Sequence, residues 1–124
     1  MPQSSYDSYG MRVLECTREG TKLQNDRDAA ELIGEALGIG ARVVVIPVER
    51  FEDAFFRLRT RIAGEIVQKF VQYRRRLVIL GDISAYVTQS SAFAAFVNEA
   101  NRGDDIWFVA DQAELERRLG RCSI

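Results

Sequence analysis

Val43-Val44-Val45-Ile46, stopped by Pro47, decides how this chain folds. β-Branched residues favour extended backbone, and a run with no polar alternation has no face to give to water. Such a strand belongs inside a sheet covered on both sides, as parallel strands are. Leu77-Val78-Ile79-Leu80, stopped by Gly81-Asp82, repeats the pattern, and so does Ile106-Trp107-Phe108-Val109, stopped by Asp111.

Helical spacing fills the intervals. Ile62, Ala63, Ile66, Val67, Phe70 and Val71 form two adjacent i,i+4 rows, with Glu65 and Lys69 off the stripe at a favourable spacing. Phe93, Phe96, Val97 and Ala100 form another stripe, opened by Ser90 or Ser91 and closed at Asn101-Arg102-Gly103. Upstream, Ala29, Leu32, Ile33, Ala36 and Leu37 follow a cap at Asn25 or Asp26 and end at Gly38 and Gly40. Asp111 opens a short helix carrying Leu115 and Leu119. Met11-Arg12-Val13-Leu14-Glu15-Cys16 reads as a strand with one wetter face. Thr21-Lys22-Leu23 is expected to return from it as a short antiparallel strand. Parallel strands need right-handed crossovers. The pattern therefore predicts an α/β domain with a mixed, mainly parallel sheet of four to five strands and four or five helices. Residues 1–10 are expected as a flexible tail, 11–120 as a single domain and 121–124 as a C-terminal tail.

Composition narrows the chemistry. A chain of 124 residues, 47% of them hydrophobic, buries a core without metal or disulfide help. Seventeen basic against eighteen acidic residues give a net charge of -1, so no global field recruits nucleic acid or an anionic membrane. There is no histidine, which removes histidine-based triads and histidine metal ligands. Cys16 lies in an apolar strand and reads as a small buried hydrophobe, and Cys122 as an incidental thiol in a tail. No segment is long and apolar enough to span a bilayer, and residues 1–10 lack a basic n-region and an apolar h-region, so the expected location is cytoplasmic. No dinucleotide fingerprint follows a strand. No cofactor, metal or catalytic residue is expected.

In a parallel sheet, ligands bind beyond the carboxyl ends of the strands. Residues 47–51, 81–84 and 110–111 fall there, bringing Glu49, Arg50, Asp82, Ser84 and Asp111. Each has a local reading as a loop residue or helix cap; Asp82 and Asp111 could instead pair around Mg²⁺. The stretch from Phe55 to Glu65 is less ordinary. Arg57, Arg59 and Arg61 flank Thr60, which is placed to cap the following helix. Arginine opposes the dipole at a helix N-terminus unless an anion is present. Either the site holds a phosphate or carboxylate, or the arginines reach Glu52, Asp53 and Glu65 across a helix junction. Arg74-Arg75-Arg76 reads as a solvated helix end.

The string FFRLRTRIAGEIVQKFVQYRRRLVILGDIS at 55–84, with NEANRG at 98–103 and WFVAD at 107–111, resembles a bacterial family called "domain of unknown function 4180". The resemblance covers roughly residues 11–119 and implies no activity. In that family glycine is more common where this chain has Arg61. The element order also resembles a STAS domain, the sulfate-transporter and anti-sigma-factor-antagonist fold. That resemblance implies a STAS-like sheet and a phosphorylated serine or threonine opening the helix after the second long strand, near Thr60. The Asp-Ser-Ser/Thr-Gly run usual there is replaced by LRTRI at 58–62.

These features favour a non-enzymatic regulatory or protein-interaction module that binds a protein partner or another copy of itself, with neither nucleic acid nor membrane as partner. Phe51, Phe55 and Phe56 would be interface anchors if exposed, and a packed junction if buried. The alternative is a small-molecule binder or enzyme for an anion or nucleotide. In it Arg59 and Arg61 hold charge, Thr60 caps the helix, and Asp82 or Glu65 is the acid-base candidate. Both readings draw on Arg57, Arg59, Thr60, Arg61, Glu65, Asp82 and Ser84.

Overall fold

The computed structural model describes residues 3–122. One sheet holds β1 (Gln3–Ser8), β2 (Met11–Cys16), β3 (Val43–Pro47), β4 (Arg76–Leu80) and β5 (Ile106–Val109), side by side in chain order. β2 to β5 are parallel and β1 is antiparallel to β2. The helices among the described residues are α1 (Asp26–Ile39), α2 (Ile62–Gln72), the short α3 (Ser84–Gln89), α4 (Ser91–Arg102) and α5 (Gln112–Cys122).

The hairpin sits one strand earlier than the sequence suggests. Gln3–Ser8, expected as tail, is the edge strand, joined to β2 through Tyr9 and Gly10 at φ 51 and 79. Two successive positive φ angles give the turn whose twist suits a hairpin. Tyr6 lies opposite Val13 and accepts a hydrogen bond from the Gln112 amide at 3.0 Å, while Asp7 pairs with Arg12 at 3.1 Å. An edge strand with a wet face has the composition of a tail, which hid it. Residues 21–23 do not return beside β2; Leu23 instead forms a lone parallel bridge to Phe51. At the other end α5 runs through residues 121 and 122, expected as tail. Residues 1–2 and 123–124, and the side chain of Cys122, lie outside the described residues.

Alternation along the strands builds two cores. Leu14, Val44, Ile46, Leu77, Ile79, Ile106 and Phe108 face α1, α2 and α4, whose Ile33, Ile66, Phe70 and Phe93 are fully buried against them. Val13, Val43, Val45, Val78, Trp107 and Val109 face the opposite way and are closed by Leu115 and Leu119 of α5. The unalternating valine run is thus explained, since both faces of β3 are buried.

Caps fix the helix ends. Asn25 accepts the Asp28 N–H at 3.0 Å to open α1, and Ser90 accepts the Phe93 N–H at 3.1 Å to open α4. Asp111 accepts the Glu114 N–H while Glu114 accepts that of Ala110, a near-reciprocal arrangement at the start of α5. α2 ends on Arg74 at φ 56, with the Arg75 N–H returning to the Phe70 carbonyl at 2.9 Å. That geometry normally uses glycine, because a Cβ costs about 1 kcal/mol or more in the left-handed region. Arg74→Gly should therefore raise unfolding stability by roughly 1 kcal/mol, read as a higher urea midpoint at unchanged m-value.

Candidate functional site

Between β3 and α2 the chain makes three tight turns of 3₁₀ helix, Val48–Arg50, Asp53–Phe56 and Leu58–Thr60. Their apolar side chains turn inward. Phe51, Phe55 and Phe56 are buried, with Phe51 and Phe55 ring centroids 4.3 Å apart and Phe56 edge-on to Phe93 at 5.7 Å. The aromatic run is therefore a packed junction and supplies no exposed interface anchor. The turns are held from below by Arg50, only 5% exposed. Its Nε donates to the Thr21 carbonyl at 2.9 Å and its Nη1 to that of Thr17 at 3.0 Å. A buried cation needs such acceptors, and here the backbone supplies them in place of a carboxylate.

α3 closes the other side. β4 ends at Gly81, φ 141, where a Cβ would stand 2.8 Å from Val48 Cγ2. Only glycine lets the strand exit this close to the turns. Tyr86 of α3 then stacks on Phe56, centroids 4.0 Å apart and planes 13° from parallel, and its hydroxyl donates to Asp53 at 2.8 Å. That hydrogen bond, with burial, raises the Tyr86 phenol above its ordinary pKa. The result is a cleft of about 770 Å³ at the carboxyl end of β3 and β4, lined by Asp53, Phe56, Arg57, Leu58, Arg59, Tyr86 and Gln89 among others.

The expected site residues divide over this region. Arg57 and Arg59 share the cleft. Both are exposed, and among the described residues neither side chain donates a hydrogen bond or makes an ion pair, so the salt-bridged junction does not form. Arg61 and Glu65 line a separate cavity of about 750 Å³ with Asp26, Lys69 and Phe96. The three arginines therefore do not converge on one anion at the start of α2. Thr60 is not the terminal cap; Arg61 holds that position at φ 66. The Thr60 hydroxyl instead bridges the turns, donating to the carbonyl of Ala54 (2.7 Å) or Arg57 (2.8 Å) and accepting the Ile62 N–H at 3.3 Å.

Asp82 and Ser84 serve each other, the Ser84 N–H donating to the Asp82 carboxylate at 2.9 Å. That bond holds the exposed Asp82 below the usual carboxylate range, opposite to what a general acid at neutral pH needs. Asp111 is engaged as the α5 cap. Among the described residues no three His, Cys, Asp or Glu side chains are grouped to hold a metal ion. Cys16 sits in the wall of another concavity, with Glu15, Arg18 and Glu19, but is 3% exposed, and burial pushes its thiol up to about 11 despite the nearby Arg50 guanidinium. It is no thiolate at neutral pH.

Sequence reasoning missed Tyr86 and Gln89, and read Asp53 as an arginine partner where it accepts from Tyr86. The signal was faint, since α3 has six residues and is too short to show a stripe. A family model described as "Domain of unknown function (DUF4180)" matches residues 8–119. The chain belongs to this family. No curated protein and no solved structure matches it. The DUF4180 match begins at the end of β1 and takes in the cleft, both arginines and most of α5.

Two outcomes follow for this region. Thr60→Val removes the bridging hydroxyl and should cost about 1 kcal/mol of unfolding stability, whereas Thr60→Ser retains most of it; chemical denaturation of both variants reads the difference. Between the ordinary thiol pKa near ~8.5 and about 11, folded Cys16 keeps a proton that the unfolded chain loses. Stability should therefore fall as pH rises through that window. Melting curves of the wild type and Cys16→Ala across it should show the shallower decline in the variant; equal slopes would contradict this placement of the thiol.

Proposed function

We propose that this DUF4180 domain is a non-enzymatic binding module, regulatory in role, that takes an acidic segment of a partner protein in the cleft between the 53–60 turns and α3. The observation that carries the reading is the pair Arg57 and Arg59, two exposed guanidinium groups that make no ion pair among the described residues, in a cleft whose lining includes Phe56, Tyr86 and one carboxylate, Asp53, held by the Tyr86 hydroxyl. Forked guanidinium donors recognise carboxylates in pairs, and a ring-lined floor suits the apolar side chains between them. Against general-acid chemistry at Asp82 and thiolate chemistry at Cys16 stand the lowered Asp82 carboxyl and the protonated Cys16 thiol. Among the described residues no helix is long and apolar enough to cross a membrane, which fits the cytoplasmic location we propose. An antiparallel first strand followed by alternating helices and parallel strands supports the STAS-like reading of a bacterial regulator. The Thr60 hydroxyl is spent on the turns, so a phosphoswitch there is not part of the proposal.

The alternative, a small anionic ligand in the same cleft, draws on the same two arginines. Fluorescence polarisation with labelled Glu/Asp-rich peptides of graded length, beside thermal shift with citrate and ATP, separates the two. The expected result is saturable peptide binding that weakens about tenfold in Arg57→Gln/Arg59→Gln, with little shift from the small anions. Peptide binding indifferent to those substitutions would remove this cleft as the site, and a melting shift with citrate or ATP alone would select the small-ligand reading.

A further inference from the structure

At the opposite, amino end of β4 and β5 the indole of Trp107 carries two guanidinium groups over its ring, Arg76 at 4.3 Å from the centroid and Arg118 of α5 at 4.4 Å. Each of these three side chains also donates to a backbone carbonyl in the last turn of α4 or just after it. The Trp107 N–H reaches Gly103 at 2.8 Å, Arg76 Nε reaches Asp104 at 2.6 Å, and Arg118 Nη2 reaches Asn101 at 2.5 Å. The Asn101 carbonyl at the end of α4, and those of Gly103 and Asp104 after it, are thus already answered. Around this stack lies a cavity of about 460 Å³ whose lining brings four arginines, Arg102, Arg117, Arg118 and Arg121, against two carboxylates.

Both carboxylates already have partners, and the lining still carries two more arginines than carboxylates. Glu114 accepts the Ala110 N–H at 2.8 Å, and Asp104 faces Arg76 at 4.0 Å. Arg117 and Arg121 make no ion pair or side-chain hydrogen bond among the described residues, and Arg102 holds only Glu99 in an exposed pair at 3.4 Å. Like charges gathered in one cavity repel one another, and a compact anion of charge two reverses that repulsion. Guanidinium forks match phosphate oxygens. Trp107 is 1% exposed and its ring already carries two guanidinium groups, so the cavity offers no free ring for a base to stack on.

We propose that this cavity is a phosphate site, taking a phosphate dianion either free or as a small monoester, with Arg117 and Arg121 as its direct ligands and Arg118 oriented by the indole. It is independent of the cleft beside Arg57 and Arg59. Trp107 is the single tryptophan of the chain, so its fluorescence reports on the site directly. Titrating the full chain with inorganic phosphate and with O-phosphoserine, each against sodium chloride at matched ionic strength, tests the assignment. The expected result is a saturable change with phosphate or phosphoserine that chloride does not reproduce, and that weakens about tenfold or more in Arg117→Gln/Arg121→Gln. A response to phosphate alone identifies free phosphate as the ligand, and an equal or greater response to phosphoserine a monoester. Glutamine keeps helix propensity, and a melting curve of the variant confirms that α5 is intact. Equal responses to chloride and phosphate, no response, or retained binding in the folded double variant would each overturn the proposal. So would a response to a single-stranded oligonucleotide bearing only phosphodiesters, with none to phosphate or phosphoserine.

Discussion

Laying the strands side by side in the order in which they occur along the chain is the constraint from which the rest of this structure follows. Right-handed crossovers between neighbouring parallel strands, always stepping in one direction, put every connecting helix on one face. α1, α2 and α4 pack there together, and the other face is left to α5. Since the order never reverses, there is no topological switch point of the kind that opens a ligand crevice in doubly wound sheets. Concave surface has to come from the connections themselves. The connection after β3 is long and wound into 3₁₀ turns, and the one after β4 begins with a separate short helix, so the cleft forms between these two.

Arg50 shows how that connection is kept in place. Its guanidinium is buried and ties the 17–21 loop, which follows β2, to the turns that follow β3. Gly20 passes so close that a Cβ there would stand 3.2 Å from the guanidinium carbon. The carboxyl edge of the sheet is therefore stitched by side-chain-to-backbone bonds rather than by ion pairs, and the ion pairs of the described residues lie elsewhere on the surface. This leaves Arg57 and Arg59 with uncommitted charge.

The α/β class and the strands β3, β4 and β5 were legible because a parallel strand buried on both faces has no polar alternation to confuse the reading. The α1, α4 and α5 caps were legible for a similar local reason: Asn25, Ser90 and Asp111 each accept an N–H three residues on. β1 was not legible, because an edge strand half in water carries the Ser and Asp of a tail and its turn uses Tyr9, a residue seldom at positive φ. At the site, the residue types at 57–61 were read correctly as unusual, but their directions were not accessible. The left-handed step at Arg61 separates its side chain from Arg57 and Arg59, and spacing along a sequence does not reveal that turn. Tyr86 was invisible for the same reason, since its partners Phe56 and Asp53 lie some thirty residues away.

The two-core arrangement bears on how the molecule is made. On the crossover side each helix emerges soon after the strand it will cover, so that layer can close progressively as synthesis proceeds. The opposite layer cannot. Val13, Val43, Val45 and Val78 have no cover until α5 has left the ribosome, after all five strands, and Tyr6 then meets Gln112 across 106 residues. For most of its synthesis this domain presents one apolar sheet surface to the surrounding medium. Its yield in a cell therefore depends on what shields that surface during the interval before the final helix docks.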